Sequence, residues 1–233
     1  MLRCPNCHAE LKREGKAFRC RNGHSFDVAR QGYANLLVNA RRETGDNKEI
    51  VRARTAFLEQ GHYRCLRDAL CEIIRSLPVQ VIADCGCGEG YYTQAAAEEG
   101  KDVYAFDMSK YALMKCADMV MSIFAPFGAD EFLRVLKPGG YVLKVEPAHD
   151  HLLEMKQVLY DQVYENREAP QAYAGLTLRS EQVVRNRIIV QGQQMIHALF
   201  QMTPYFYRSP KAGAKRLRAL EELDTRISFR LAL

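Results

Sequence analysis

Val81-Ile82-Ala83-Asp84-Cys85-Gly86-Cys87-Gly88-Glu89-Gly90 is the stretch on which the reading of this chain turns. Gln80 to Cys85 is a short apolar run that predicts a buried strand, and a D-x-G-x-G-x-G turn follows it. A helix is expected from there to about Glu99. Glycine lacks Cβ, so the backbone at Gly86, Gly88 and Gly90 is free to approach a ligand closely. The start of the helix beyond presents unpaired N–H groups. Val103 to Phe106 predicts a second strand, closed by Asp107. A carboxylate in that position commonly holds ribose hydroxyls. Strand, glycine turn, helix and downstream acid together predict a site for a nucleotide-like ligand.

Working outward, strands and helices alternate. Met119 to Phe124 predicts a strand, and Ala129 to Leu136 a helix stopped by Lys137-Pro138-Gly139-Gly140. Tyr141 to Val145 predicts the next strand. This order predicts an α/β fold, a Rossmann-like doubly wound parallel sheet covered by helices on both faces. Two helices lead into it over residues 49–77, Glu49 to Gln60 and then Tyr63, Leu66, Leu70, Ile73, Ile74 and Leu77 at helical spacing, ended by Pro78. Downstream, Leu152 to Val163 reads as a helix, and Arg185 to Val190 and Arg226 to Leu233 as strands. The organisation expected is a small unit over 1–36, a polar linker over 37–48 and a large domain over 49–233.

The front unit carries Cys4-x2-Cys7, twelve residues, then Cys20-x3-His24. Three thiolates and an imidazole complete a tetrahedral zinc site, and both pairs have the spacing of metal-ligand turns. A unit of this size buries too little surface to fold alone, and zinc binding can supply the deficit. Four protein ligands leave no open position, so the metal is expected to be structural. His8 would spoil the two-pair pattern. Cys65, Cys71, Cys85, Cys87 and Cys116 fall on apolar faces or in the glycine turn and read as small core residues.

The chain has 233 residues, 48% of them hydrophobic, enough for one medium domain and an accessory unit. No apolar run of 18 residues predicts a membrane span, and the start has no signal-peptide core. The expectation is a cytoplasmic protein whose cysteines bind metal or pack rather than form disulfides. Net charge is +5, unevenly spread. Residues 1–54 hold twelve Lys/Arg against six Asp/Glu, and the remainder 21 against 22. The positive excess therefore sits at the front, which suits a polyanionic partner. A merely solvated basic face is the alternative.

A dinucleotide site would read G-x-G-x-x-G. Here the glycines are each two apart and follow Asp84, which resembles motif I of class I S-adenosylmethionine-dependent methyltransferases. The Leu136 to Gly140 turn before a strand is typical of the same class. Further features extend the likeness along nearly the whole chain. They are Cys4, Cys7, Cys20 and His24; Gly32-Tyr33-Ala34-Asn35-Leu36-Leu37; Ala56-Phe57-Leu58 with Gly61-His62-Tyr63; Asp84 through Tyr92; Ala105 to Lys110; Phe124-Ala125-Pro126; His151-Leu152; and Met202-Thr203-Pro204. With these the chain resembles the large-subunit rRNA guanine-N1 methyltransferases of the RlmA/RrmA and TlrB type.

The resemblance implies structural zinc on Cys4, Cys7, Cys20 and His24. It implies S-adenosylmethionine held by Tyr63, Asp84, the Gly86-Cys87-Gly88-Glu89-Gly90 loop, Asp107 and His151, and a zinc end that grips a hairpin of 23S rRNA. It also implies a homodimer. Strand ends are where doubly wound sheets build sites. That makes Phe124 and Pro126 the expected wall for a substrate base, and Glu146 or His149 the expected acceptor of the guanine N1 proton. Asp118 precedes its strand and is expected at the wrong end. A methyltransferase for small molecules or proteins, or a zinc-containing RNA-binding protein without catalysis, are the rival readings. One departure stands out. Residues 108–118 leave room for one helix, whereas the family has a helix, a further strand and an acidic loop there, roughly twenty residues more. Residues missing from the sequence are therefore expected, since true loss of an interior strand would be expected to break the sheet.

Overall fold

A computed structural model describes residues 2–30, 32–36, 48–106, 117–163, 166 and 172–233. Asp107, Ser109, Cys116 and most of the expected linker lie outside the described residues. The chain begins with a four-stranded antiparallel ribbon, β1 (Leu2–Arg3), β2 (Glu10–Glu14), β3 (Ala17–Cys20) and β4 (Ser25–Asp27), paired in sequence order. Its apolar content is small. Cys4, Leu11, Cys20 and Leu36 are its buried core, so the cysteines themselves fill the interior.

Two helices follow, α1 (Lys48–Glu59) and α2 (Arg64–Ser76). Leu66, Leu70 and Ile74 of α2 are fully enclosed, as their spacing requires, and Leu77 and Pro78 end the helix in extended backbone. Then come β5 (Val81–Cys85), α3 (Tyr91–Glu98), β6 (Asp102–Phe106), β7 (Ala117–Ile123), α4 (Ala129–Val135), β8 (Leu136–Pro147), α5 (Leu153–Leu159), β9 (Glu181–Gln191), α6 (Gln193–Gln201), α7 (Tyr205–Arg208), α8 (Lys211–Arg218) and β10 (Glu222–Ala232). One six-stranded sheet has the order β6-β5-β7-β8-β10-β9. The first four strands are parallel, and β10 lies antiparallel to both β8 and β9. The expected all-parallel sheet thus turns antiparallel at one edge.

Alternation along the strands assigns the two faces. Ile82, Met119, Met121, Ile123, Leu143, Val145, Ile227, Phe229 and Leu231 enter the large core, with α2, α5, α6 and α8 over them. Ala83, Val120 and Val142 face the other side, where Phe132 and Val135 of α4 cover them. Gly213 permits the closest packing on the large face. A Cβ there would lie 1.9 Å from the carbonyl oxygen of Leu159, so α8 crosses α5 with backbone against backbone.

The described strands form one continuous sheet, contrary to the expectation from sequence that loss of a strand after β6 would break it. Among the described residues β6 is an edge, and β7 pairs on the opposite side of β5. A strand inserted in sequence between them would add outside β6, so the sheet closes without it. The strand at the other end also differs from expectation. β8 starts at Leu136, before the Pro-Gly-Gly turn, because Leu136 pairs with Ala117 across a bulge. The helices α6, α7 and α8 were not legible from Arg185 to Val190 and Arg226 to Leu233 alone. Their apolar positions are short and interrupted by Pro204 and Pro210.

Gly213→Ala should lower stability by about 1–3 kcal/mol, the usual cost of forcing a methyl into a filled interface. Thermal melting against the parent chain checks this, and an unchanged midpoint would contradict the backbone contact.

Candidate functional site

The front ribbon brings Cys4, Cys7, Cys20 and His24 together with their ligand atoms all within 4.8 Å of one another. Two tight turns place them. His8 N–H donates to the carbonyl of Cys4 and Gly23 N–H to that of Cys20, at 2.8 and 3.0 Å. His8 and Gly23 both have positive φ, 58° and 84°, so His8 is a turn residue and stands outside the cluster. Tetrahedral zinc with Zn–S of about 2.3 Å and Zn–N of about 2.0 Å demands S···S near about 3.8 Å and S···N near about 3.6 Å. The structure has Cys7 Sγ to Cys20 Sγ at 3.7 Å, and His24 Nδ1 to Cys4 Sγ at 3.5 Å and to Cys20 Sγ at 3.4 Å. The residues fit zinc. Electrostatics agree: the backbone N–H of Ala9 draws the Cys7 thiol down to about 6, which favours the thiolate a metal needs. Burial pushes Cys4 the other way.

The second site forms at the ends of β5 and β7. The Phe106 carbonyl accepts the N–H groups of both Gly86 and Cys87, at 2.7 and 3.1 Å, which folds the loop over β6. Gly86, Gly88 and Gly90 all have positive φ, 87°, 52° and 89°. Gly86 is doubly constrained, since a Cβ there would lie 2.5 Å from Cβ of Ala125 in the loop after β7. The two loops therefore meet with nothing between them. Asp84 is buried below, where its carboxylate accepts the Thr93 hydroxyl at 2.5 Å. Burial raises its pKa to about 6. Its place is to tie the strand end to α3. Glu89 accepts from Arg54 of α1 at 3.3 Å, so α1 closes over the loop. Sequence reasoning missed Arg54, because only the fold brings α1 there.

An aromatic cluster lines the adjoining wall. Tyr63 stacks edge-on against Phe57 at 5.2 Å and Phe229 at 4.9 Å, and Phe229 lies 4.9 Å from His151 and 5.8 Å from Phe124. Tyr63 Oη lies 3.4 Å from Nε2 of His151, and the Ser228 N–H donates to His151 Nδ1 at 3.1 Å. A backbone N–H can only donate, so Nδ1 carries no proton and Nε2 is the donor to Tyr63. Burial depresses the imidazole to about 4, keeping it neutral, and raises the Tyr63 phenol. Tyr92, on the first turn of α3, has its hydroxyl buried without a hydrogen-bond partner among the described residues. That orphan hydroxyl, two residues past the glycine loop, is a polar group that a bound nucleoside would satisfy. The residues fit S-adenosylmethionine.

Phe124 is 44% exposed and has a φ of 53°, a conformation bulky side chains rarely hold. The N–H of Phe124 is anchored on the Val145 carbonyl at 3.0 Å. Such backbone outliers cluster where a side chain must be aimed. Pro126 beside it is exposed. Glu146 is differently placed. One carboxylate oxygen accepts Arg230 at 2.5 Å and the other Lys144 at 2.6 Å, on the side of the sheet away from the large core. His149 follows the end of β8, with its carbonyl accepting from Asn166 at 3.0 Å. Asp118 sits at the start of β7, capping the N–H groups of Gln80 and Val81 at 3.0 and 2.8 Å. A cavity of about 520 Å³ opens elsewhere, lined by Phe127, Lys144, Tyr173 and Arg230, and includes no glycine-loop residue. No helix among the described residues is long and apolar enough to cross a membrane.

Gly86→Ala should weaken S-adenosylmethionine binding by about tenfold or more, since each decade corresponds to about 1.4 kcal/mol and the methyl needs both strain and displacement of Ala125. Calorimetric titration reads it, and an unaltered affinity would refute the packing of the two loops. Removing zinc with a strong chelator should unfold Leu2–Asp27 while the six-stranded sheet persists, because metal binding of roughly 10–16 kcal/mol is the folding energy of such units. Amide exchange with and without chelator distinguishes the two regions.

The model of the RlmA N-terminal zinc ribbon matches residues 2–42. A 23S rRNA (guanine(748)-N(1))-methyltransferase of Streptomyces fradiae is 36% identical over 188 residues, covering 68% of this chain and 67% of its own. A putative 23S rRNA (guanine-N(1)-)-methyltransferase of Bacillus subtilis is 31% identical over 264 residues, covering 96% of this chain and 93% of its own. A third, from Micromonospora griseorubida, is 32% identical over 200 residues, covering 66% and 68%. The Bacillus alignment is longer than this 233-residue chain, so that relative has internal residues this chain lacks. With the zinc ligands, the glycine loop and three relatives matched over at least two thirds of their length at this level, the chain belongs to the 23S rRNA (guanine-N1)-methyltransferase family.

Proposed function

We propose that the protein transfers a methyl group from S-adenosylmethionine to N1 of a guanine in a hairpin of 23S rRNA, which the zinc ribbon helps to hold. The observation that carries this is the meeting of two loops. Gly86 abuts Ala125, and Phe124 beside it is turned outward on strained backbone. A flat apolar surface thereby adjoins the cofactor loop, at the strand ends where such sheets build sites. A base displaced from its stack has a wall to lie on.

S-adenosylmethionine supplies an already activated methyl group. This chain has to bind it, align the base and exclude water. Gly86, Gly88 and Gly90 offer backbone to the cofactor, with Tyr63 and Tyr92 as hydroxyl contacts and Asp107 as the ribose acid expected from sequence. Neutral His151 fixes the Tyr63 hydroxyl by donating to it. Asp84 and Glu89 hold the loop from below and above, through Thr93 and Arg54. Phe124 and Pro126 form the wall for the guanine. Its N1 proton needs an acceptor. Of the two residues considered, Glu146 has both oxygens engaged by cations, which leaves His149 as the acceptor. The excess of basic residues over 1–54 supports contact with RNA phosphates. The same reading places the protein in the cytoplasm with the ribosome, as a homodimer.

Methyl on N1 blocks base pairing, so reverse transcription of treated 23S rRNA should stop one nucleotide before a single hairpin guanine. Transfer to small molecules or protein without such a stop would overturn the reading. His149→Gln should lower kcat by about 10²-fold, the lower range for proton-transfer groups, with S-adenosylmethionine affinity retained. An unchanged kcat would remove His149 from its role.

A further inference from the structure

Tyr205 to Arg218 reads YFYRSPKAGAKRLR and holds five cations, Arg208, Lys211, Lys215, Arg216 and Arg218, with no acid. Residues 55–233 are close to charge balance overall, so this run escapes a view of the sequence by halves. The fold puts all five on the surface. On α8 the apolar side is Gly213, Ala214 and Leu217, pressed on α5 and the large core, and the cations occupy the rest. Arg216 pairs with Asp161 at 3.2 Å, whereas Arg208, Lys211, Lys215 and Arg218 make no ion pair with a described residue. Tyr207 among them is 70% exposed, the largest exposure of any big hydrophobic side chain among those described.

The patch adjoins the site. Tyr205, at the start of α7, donates its hydroxyl to Asn166 at 3.1 Å, and Asn166 in turn donates to the Ala148 carbonyl at 2.8 Å. The His151 N–H bonds to that same carbonyl at 3.1 Å. These bonds run from the backbone of His151, whose imidazole meets Tyr63, to α7, and the cations extend from there along α8.

From this arrangement we propose that α7 and α8 form a second RNA-binding surface, distinct from the zinc ribbon, which holds phosphates with Arg208, Lys211, Lys215 and Arg218 and stacks an unpaired base on Tyr207. Uncompensated, solvated cations gain most from counterion release at a phosphate backbone. An exposed tyrosine among them supplies the ring on which single-stranded bases stack. Two basic surfaces, the ribbon and the α7–α8 patch, would hold a folded RNA at two points and fix which base enters.

The inference rests on rRNA being the substrate, and the experiment separates the two. Binding of 23S rRNA hairpin RNA is measured against salt for the parent, for Lys211→Gln/Lys215→Gln/Arg218→Gln, and for Arg64→Gln/Arg75→Gln on α2 as a control for reduced charge. Steady-state methylation is followed in parallel. The triple variant should show a log–log salt slope shallower by about 2 to 3, near 0.7–0.9 for each phosphate no longer neutralised. Its KM for RNA should rise with little change in kcat, and S-adenosylmethionine affinity should hold. Tyr207→Ala should weaken RNA binding roughly five- to hundredfold. Parent-like slope and KM in the triple variant, or an equal weakening per charge in the α2 control, would overturn the second surface while leaving the rRNA reading intact. A parent chain that neither binds nor methylates rRNA would overturn both.

Discussion

Two N–H groups on one carbonyl organise the catalytic end of this protein. Gly86 and Cys87 both donate to Phe106, and that turn sends the backbone across the sheet end instead of straight into α3. The turn works only with positive φ at Gly86, Gly88 and Gly90, and only if Gly86 carries no Cβ, because Ala125 occupies that space. Everything else in the site is positioned relative to this contact. The buried Asp84 holds the strand end to α3, and Arg54 closes α1 over the loop. The outward Phe124 is anchored on Val145 one residue before Ala125. The neutral character of this pocket follows from its burial. His151 and Tyr63 share a hydrogen bond that neither charged form would improve in so dry a place.

The front of the chain solves a different problem. Four buried apolar residues, two of them metal-ligating cysteines, cannot hold a ribbon of this length by hydrophobic burial. The ligands therefore take over the work of a core. Leu2 and Phe106 belong to the surroundings of both the ribbon core and the smaller sheet cluster. The ribbon thus leans on the edge where a further strand would otherwise pair. An edge strand with exposed Asp102 and Ala105 needs such cover or enough polarity to deter pairing with other chains.

Legibility varied with the kind of constraint. The zinc ligands were readable because metal coordination imposes spacing directly on the sequence. The glycine loop was readable because positive φ and close approach exclude other residues. Strands such as Arg226 to Leu233 showed their alternation, and the structure gives them that register. The antiparallel placement of β10 between β8 and β9 was not readable, since strand periodicity carries no direction. The expectation that a lost strand would break the sheet failed for a related reason. Sequence order says what precedes a strand, while only pairing says whether it lies inside or at an edge.

The amino-acid sequence by itself determined the chemistry that depends on residue type at fixed spacing: four metal ligands, a turn that only glycines permit, and alternating apolar strands. The tertiary structure decided which distant side chains share a site. Arg54 over the glycine loop, Tyr63 on His151, the Arg230–Glu146 ion pair and the bare cationic side of α8 against the core all depend on segments tens of positions apart. Local preferences act over a few residues, whereas burial and pairing are settled only when the sheet and its helices pack.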